Sequence, residues 1–475
     1  MIRRLSKRYL SFIALCGCLI LGSCVHRVIT PDDADQPLLL NNSPVVMLHI
    51  GTINAGNRAA NVQERIRSLR IIMIHEAGNS KYIEANRLID TKMADLNFCY
   101  IFQKRTVVGK KSFYLIANEE SVKSITLTEG SFPAGMEANP TLTTFLNAFN
   151  PDMPTDDGTA PTNICSAAEF EALLNAISFE PELTYGQSGG MIFLPYSAYY
   201  SGFEVKASDG YEVDYTDSPM YLVPVATKFS FKFINERTRT DVAIDYFALE
   251  KTNKTNYLMP NLESWELNKN IGRDKYYWID WLKFIADELQ NAEPGTDHNI
   301  NMNNMYGWIR DYKMPFPDDT YTYEFVPDGY ADDPETDPCT KTSSWVLPVA
   351  EEKDGKTIAT TAEYGPFYLP EGHNMVEDIV ENPNPGSSEP ASADLVEKYI
   401  LKLRMRDVDI PVADPSPVKV KSAETEISNL KSLFRNTSVQ ITVTLREGGV
   451  NIYAEPVLWN KEELFGYVKD EDEIK

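Results

Sequence analysis

Positive charge is scarce in this chain. Its 475 residues hold 45 Lys and Arg against 69 Asp and Glu, a formal charge of −24. That balance argues against a nucleic-acid partner, whose phosphates require clustered basic side chains. Histidine is scarcer still. The five residues His26, His49, His75, His298 and His373 show no metal-ligand spacing, and no HExxH occurs. There is no GxGxxG and no Walker A loop. Cysteine is too sparse for a disulfide framework. Cys16, Cys18 and Cys24 crowd the N-terminus, and only Cys99, Cys165 and Cys339 follow, none in a CxxC pair. Beyond the first 23 residues no apolar run is long enough for a transmembrane helix. An enzyme is therefore not expected, and nothing points to a cofactor or a resident metal.

What the chain does contain is apolar and aromatic material. Its 43% apolar content supports real cores, and the length fits two or three domains. With 25 Tyr, 21 Phe, 29 Pro and 25 Gly, the composition favours many short strands joined by turns.

The N-terminus reads as an export signal. Arg3, Arg4, Lys7 and Arg8 precede the apolar stretch Leu10–Leu21, which ends in Leu21-Gly22-Ser23-Cys24. A branched aliphatic, two small residues and a cysteine resemble the lipobox of bacterial lipoproteins. Cys24 is then the acylated residue, and a lipid anchor is the one membrane attachment available. Loss of residues 1–23 removes those four positive charges and takes the net charge from −24 to −28. Residues 24–44 read as a polar tether.

Two β-rich domains are expected, at 45–220 and 221–475, with minor helices. Val45–Ile53 is a strand with Val46, Leu48 and Ile50 on one face. A loop, Asn54-Ala55-Gly56-Asn57-Arg58-Ala59-Ala60, leads to a second strand, Ile66–Ile74, apolar on both faces toward its end. Phe113–Asn118 and Met191–Pro195 are further strand candidates, and Phe170–Ile177 fits an amphipathic helix. In the second domain Phe229, Phe231 and Phe233 alternate with polar residues, and Val242–Leu249 is expected beside them. Tyr276–Leu289 reads as a helix. Residues 315–338 hold eight acids and no Lys or Arg, and with 377–394 they read as long loops within a stretch of insertions, about 261–430. Val439, Ile441, Val443 and Leu445 alternate cleanly, Gly448-Gly449 turns the chain, and Val450–Leu458 returns.

Two formal site matches are weak. Gly186-Gln187-Ser188-Gly189-Gly190 satisfies GxSxG, but lacks the strand–turn–helix setting a nucleophile elbow needs. Asp152, Asp156 and Asp157 lack EF-hand spacing.

The order of several segments resembles the FimA-type fimbrillins of Bacteroidetes, subunits of type V pili. The segments are the lipobox at Cys24; Val45–Ile53 with Asn57-Arg58-Ala59 and Ile66–Ile74; Phe113–Glu119; Pro224–Phe229 with Tyr257-Leu258-Met259-Pro260; and Arg435–Val439 with Pro456-Val457-Leu458-Trp459. The resemblance implies two transthyretin-like, Greek-key β-sandwich domains. It further implies a lipoprotein precursor at the outer membrane, and a protease specific for Arg that cuts between Arg58 and Ala59. The strand carrying Val46, Leu48 and Ile50 is then displaced. A C-terminal donor region from another subunit, carrying Val450, Ile452, Ala454, Trp459, Leu464 and Val468, fills the gap. Partners are other fimbrial subunits, and the role is structural or adhesive, with the extra length leaning towards a tip or accessory subunit. The alternatives are an uncleaved basal anchor and a surface lipoprotein that binds glycan or peptide.

Overall fold

A computed structural model describes residues 45–52, 64–94, 99–127, 131–152, 163–182, 193–206, 212–259, 322–325, 345–353, 355–373, 399–408, 420–427, 430, 432–433, 435 and 437–458. Cys24, Arg58, Ala59, Trp459, Leu464, Val468, the GxSxG segment and the expected helix Tyr276–Leu289 lie outside the described residues.

The fold is all-β, with two short α-helices among the described residues. The first strands are β1 (Val45–Thr52), β2 (Ile66–Ala77), β3 (Ser80–Ala94), β4 (Cys99–Arg105) and β5 (Gly109–Ala117). Next come β6 (Thr126–Leu127), helix α1 (Leu142–Asn147), helix α2 (Ala167–Ala176) and β7 (Ile177–Phe179). Then follow β8 (Tyr196–Val205), β9 (Glu212–Pro224), β10 (Thr227–Asn235), β11 (Val242–Glu250) and β12 (Asn256–Tyr257). The remainder are β13 (Thr322–Phe325), β14 (Trp345–Leu347), β15 (Glu351–Lys353), β16 (Lys356–Ile358), β17 (Thr360–Leu369), β18 (Gly372–His373), β19 (Ile400–Asp407), β20 (Val420–Glu426), β21 (Ser432–Leu433), β22 (Thr437–Arg446) and β23 (Gly449–Leu458).

The chain divides into two compact units. The first comprises residues up to Ser121, Thr144–Phe170 and Phe193–Val223; the second takes the rest, including Val122–Thr143 and Glu171–Ile192.

In the first unit seven strands form one sheet in the order β3-β2-β5-β8-β9-β1-β4. Strand β2 is buried from Ser68 to His75, around the apolar run Ile71–Ile74. Asn118, directly after β5, adopts φ 57°, a left-handed conformation that asparagine tolerates better than most residues. Its side-chain oxygen accepts from the Arg67 N–H at 2.8 Å. Its amide donates to the carbonyls of Arg65 at 2.9 Å and Leu194 at 2.6 Å. Those bonds give the Ala-Asn ending of the strand a physical reason. Of the expected strand Met191–Pro195, Met191 and Ile192 lie outside the described residues and Phe193 to Pro195 are irregular; the described strand begins at Tyr196. The helix expected at Phe170–Ile177 starts earlier, because Ser166 caps it. Glu169 Oε2 accepts from the Ser166 N–H and hydroxyl, both at 2.8 Å, and the Glu169 N–H returns a bond to Ser166 Oγ at 3.3 Å. Ile177 belongs to β7 instead.

The second unit contains a sandwich. One sheet runs β17-β10-β22-β23; the other runs β13-β11-β19-β20, with β14 also on β11. Phe229, Phe231 and Phe233 from the first sheet meet Ile244, Phe247 and Leu249 from the second in one buried core. Phe231 lies 4.6 Å from Phe247 and 4.9 Å from Phe325 between ring centroids, tilted contacts typical of packed aromatics. Two expectations change here. Strand β11 is not beside β10; the chain crosses to the opposite sheet, which places both apolar faces inward. The stretch 261–430, expected to be insertions, supplies β13 to β20, and β17 and β19 pair directly with β10 and β11. The hairpin β22–β23 turns at Glu447-Gly448, one residue earlier than expected, since Arg446 already faces Gly449.

Candidate functional site

The segment of greatest functional interest is β1. Its sequence VVMLHIGT alternates, and Val46, Leu48 and Ile50 are fully buried. On one side it runs antiparallel to β4, with Leu48 opposite Phe102. On the other it runs parallel to β9, with Ile50 opposite Met220 and a register shift between Leu48 and Ile50. Phe102, Met220 and Leu222 are themselves about 1% exposed.

The connection of β1 to the chain is unusual. Its sequence neighbour β2 is not its sheet neighbour; β5, β8 and β9 stand between them. The end of β1 and the start of β2 therefore lie on different parts of the sheet. A break at Arg58 severs β1 from the rest of the protein without touching either of its ladders. After such a break β1 is held by its hydrogen bonds to β4 and β9 and, among the described side chains, by Val46, Leu48 and Ile50. At about 1.5–3 kcal/mol per buried aliphatic, those side chains contribute roughly 5–9 kcal/mol. Removing β1 would bare the edges of two strands at once, beside Phe102, Met220 and Leu222. Such a slot accepts an extended segment with the same alternation.

The C-terminal residues sit differently. Val450, Ile452 and Ala454 lie on β23, where Ala454 is fully buried and the other two pack on the core of the second unit. They complete their own hairpin with β22, facing Leu445, Val443 and Ile441. Strand β23 ends its sheet, and this edge position tolerates Pro456, which has no N–H to donate.

The structure also joins residues that sequence reasoning left apart. Arg435 is fully buried beside Glu371, 1% exposed. Its Nε and Nη2 donate to Glu371 Oε2 at 2.9 and 2.6 Å, and its backbone N–H donates to Oε1 at 3.0 Å. Its remaining donors reach the carbonyls of Leu258 at 3.1 Å and Tyr257 at 2.9 Å. Arg435 thus ties the start of the last hairpin to the Tyr257-Leu258 segment. Nothing in the local pattern around Glu371 marks it as the partner.

Other candidates resolve more plainly. Asp152 accepts a bond from the Ile83 N–H, and its own N–H donates to the Ile83 carbonyl at 2.8 Å; burial raises its pKa. Cys165 is a free thiol whose pKa burial, helped by Glu169, pushes up to about 11. Among the described residues, no His, Cys, Asp or Glu cluster could hold a metal, and no helix is long and apolar enough to cross a membrane.

No family model matches the chain, and no curated protein matches it. Solved structures do align along most of it. The chain is similar to Bacteroidetes fimbrillins. The tip fimbrial protein Mfa3 from Porphyromonas gingivalis, with C-terminal truncation, is 9% identical; the match covers 88% of this chain and 100% of that one, with a TM-score of 0.38. A fimbrilin, FimA, from Porphyromonas gingivalis W83 is 11% identical over 88% and 98%, with a TM-score of 0.40. A fimbrial assembly protein from Parabacteroides distasonis is 9% identical over 88% and 98%, with a TM-score of 0.33.

Proposed function

We propose that this protein is a non-enzymatic subunit of a cell-surface fimbria, assembled by strand exchange at the β1 slot. The observation that carries the reading is the setting of β1: a fully seated, alternating strand, parallel to β9 and separated by three strands from its own sequence neighbour. In this reading Cys24 anchors the precursor to the outer membrane. An Arg-specific protease cuts between Arg58 and Ala59, in the segment that follows Gly56 and Asn57. Strand β1, freed covalently but still held by its ladders, yields when a competing strand from another subunit arrives.

Because Val450, Ile452 and Ala454 serve the second unit's own core, the donor reach beyond that hairpin falls to the residues carrying Trp459, Leu464 and Val468. Arg58→Ala is expected to give a lipidated, folded precursor that does not polymerise. Mass spectrometry of the N-terminus and a ladder assay on gels test this together. Polymers built from the uncut variant would sink the exchange reading and favour a basal anchor or a non-fimbrial surface lipoprotein.

A further inference from the structure

Three strands of the first unit bring an amine, a carboxyl group and an imidazole together away from the β1 slot. Lys111 on β5 has a fully buried side chain. Its Nζ lies 2.5 Å from Glu84 Oε2 on β3 and 2.9 Å from His75 Nδ1 on β2. Strands β3 and β5 flank β2, so the lysine and the glutamate reach each other across the strand that carries the histidine. Glu84 arrives there through a β-bulge. Ile83 faces Ile74 and Ala85 faces Met73, leaving Glu84 as the extra residue. A bulge re-aims the side chain it frees. The imidazole is held as deliberately. His75 stacks on Tyr82, and a Cβ at Gly109 would lie only 2.5 Å from His75 Cε1, so glycine makes the room.

We propose that this cluster is a self-modification site, at which Lys111 and Glu84 condense to an amide that covalently joins β3 to β5. The atoms balance with water as the only by-product. Transfer of a proton from Lys111 Nζ to Glu84 gives a free amine and a carboxylic acid with no change in net charge. The amine lone pair attacks Glu84 Cδ, forming the C–N bond. His75 Nδ1 takes the surplus proton from nitrogen and returns it to the departing hydroxyl. The C–O bond breaks, water leaves, and the imidazole is neutral again.

Two physical features favour the step. Burial lowers the pKa of Lys111 and of His75, a direction that favours the free amine and the free base. Fixed contact inside a dry site replaces a slow bimolecular encounter and removes the bulk water that would oppose condensation. Nearby pairs lack one condition or the other. Lys81 and Glu76, in the same hairpin, are 3.6 Å apart and a third exposed. Arg70 and Glu119 are as buried as Lys111 and Glu84, but a guanidinium stays protonated and is no nucleophile.

Intact-mass measurement of the purified, folded full chain, followed by a tryptic map, reads the bond directly. The expected chain is one water lighter than its sequence, and its map contains a branched peptide joining β3 to β5 through Lys111 and Glu84. Lys111→Arg is expected at full mass with two linear peptides, provided circular dichroism shows the same β content. A wild-type chain at full mass, with Lys111 and Glu84 in separate linear peptides, would overturn the proposal. The map assigns the link whatever the processed N-terminus is, so the result stands apart from the fimbrial reading.

Discussion

Replacing Arg435 with methionine is expected to destabilise the second unit by about 3–5 kcal/mol, the usual cost of leaving one member of a buried ion pair without its partner. Glu371 would lose the guanidinium bonds and keep that of the residue 435 backbone N–H, and the carbonyls of Tyr257 and Leu258 would lose the donors that Arg435 supplies. The double variant Arg435→Met, Glu371→Leu is expected to recover part of the loss, because the stranded charge is gone, but not all of it, because the two carbonyls still lack the Arg435 donors. Urea unfolding followed by fluorescence gives both numbers, since Trp345 packs on the core of that unit. A single variant within about 1 kcal/mol of wild type would mean that water or rearrangement satisfies Glu371.

Leu48→Asp is expected to act on assembly with a sign opposite to that of Arg58→Ala. Leu48 is fully buried opposite Phe102. A carboxylate there loses the aliphatic contact and buries an unpaired charge, for a cost of at least about 3 kcal/mol. That is a large share of the roughly 5–9 kcal/mol by which the three aliphatics hold β1. The strand should then leave its slot more readily. Limited proteolysis should trim residues up to the start of β2 sooner than in wild type, and strand exchange should proceed with less cutting at Arg58. Unchanged trimming and unchanged assembly would show that β1 is not the exchangeable element.

Legibility in the sequence followed how local each signal was. Strands β10 and β22 were plain because their inward residues alternate without a break: Phe229, Phe231 and Phe233 in one, Val439, Ile441 and Val443 in the other. Strand β19 carries an equally regular signal. Leu401, Leu403 and Met405 alternate with Lys402, Arg404 and Arg406, yet they lay in a stretch whose neighbours read as loop. Strand β17 is harder to see, because Gly365-Pro366 interrupts it, and β13 is only four residues long in acidic surroundings. Partnership was less legible than strand character. The period of β1 showed which face turns inward, but not that β9 would lie parallel beside it. Likewise, Val242–Leu249 read correctly as a strand but went to the opposite sheet. The contacts furthest from local pattern were the buried polar ones. Glu84 reaches Lys111 only through a bulge, and Glu371 meets Arg435 across 64 positions.

The central claim is that β1 is removed by cutting after Arg58 when the subunit enters a fimbria. The N-terminal residue of the chain recovered from assembled surface fibres tests it most directly. The account predicts a free N-terminus at Ala59, with Val45–Thr52 absent from the peptide map. A lipid-blocked N-terminus at Cys24 in the assembled chain, with Val45–Thr52 still attached, would contradict it.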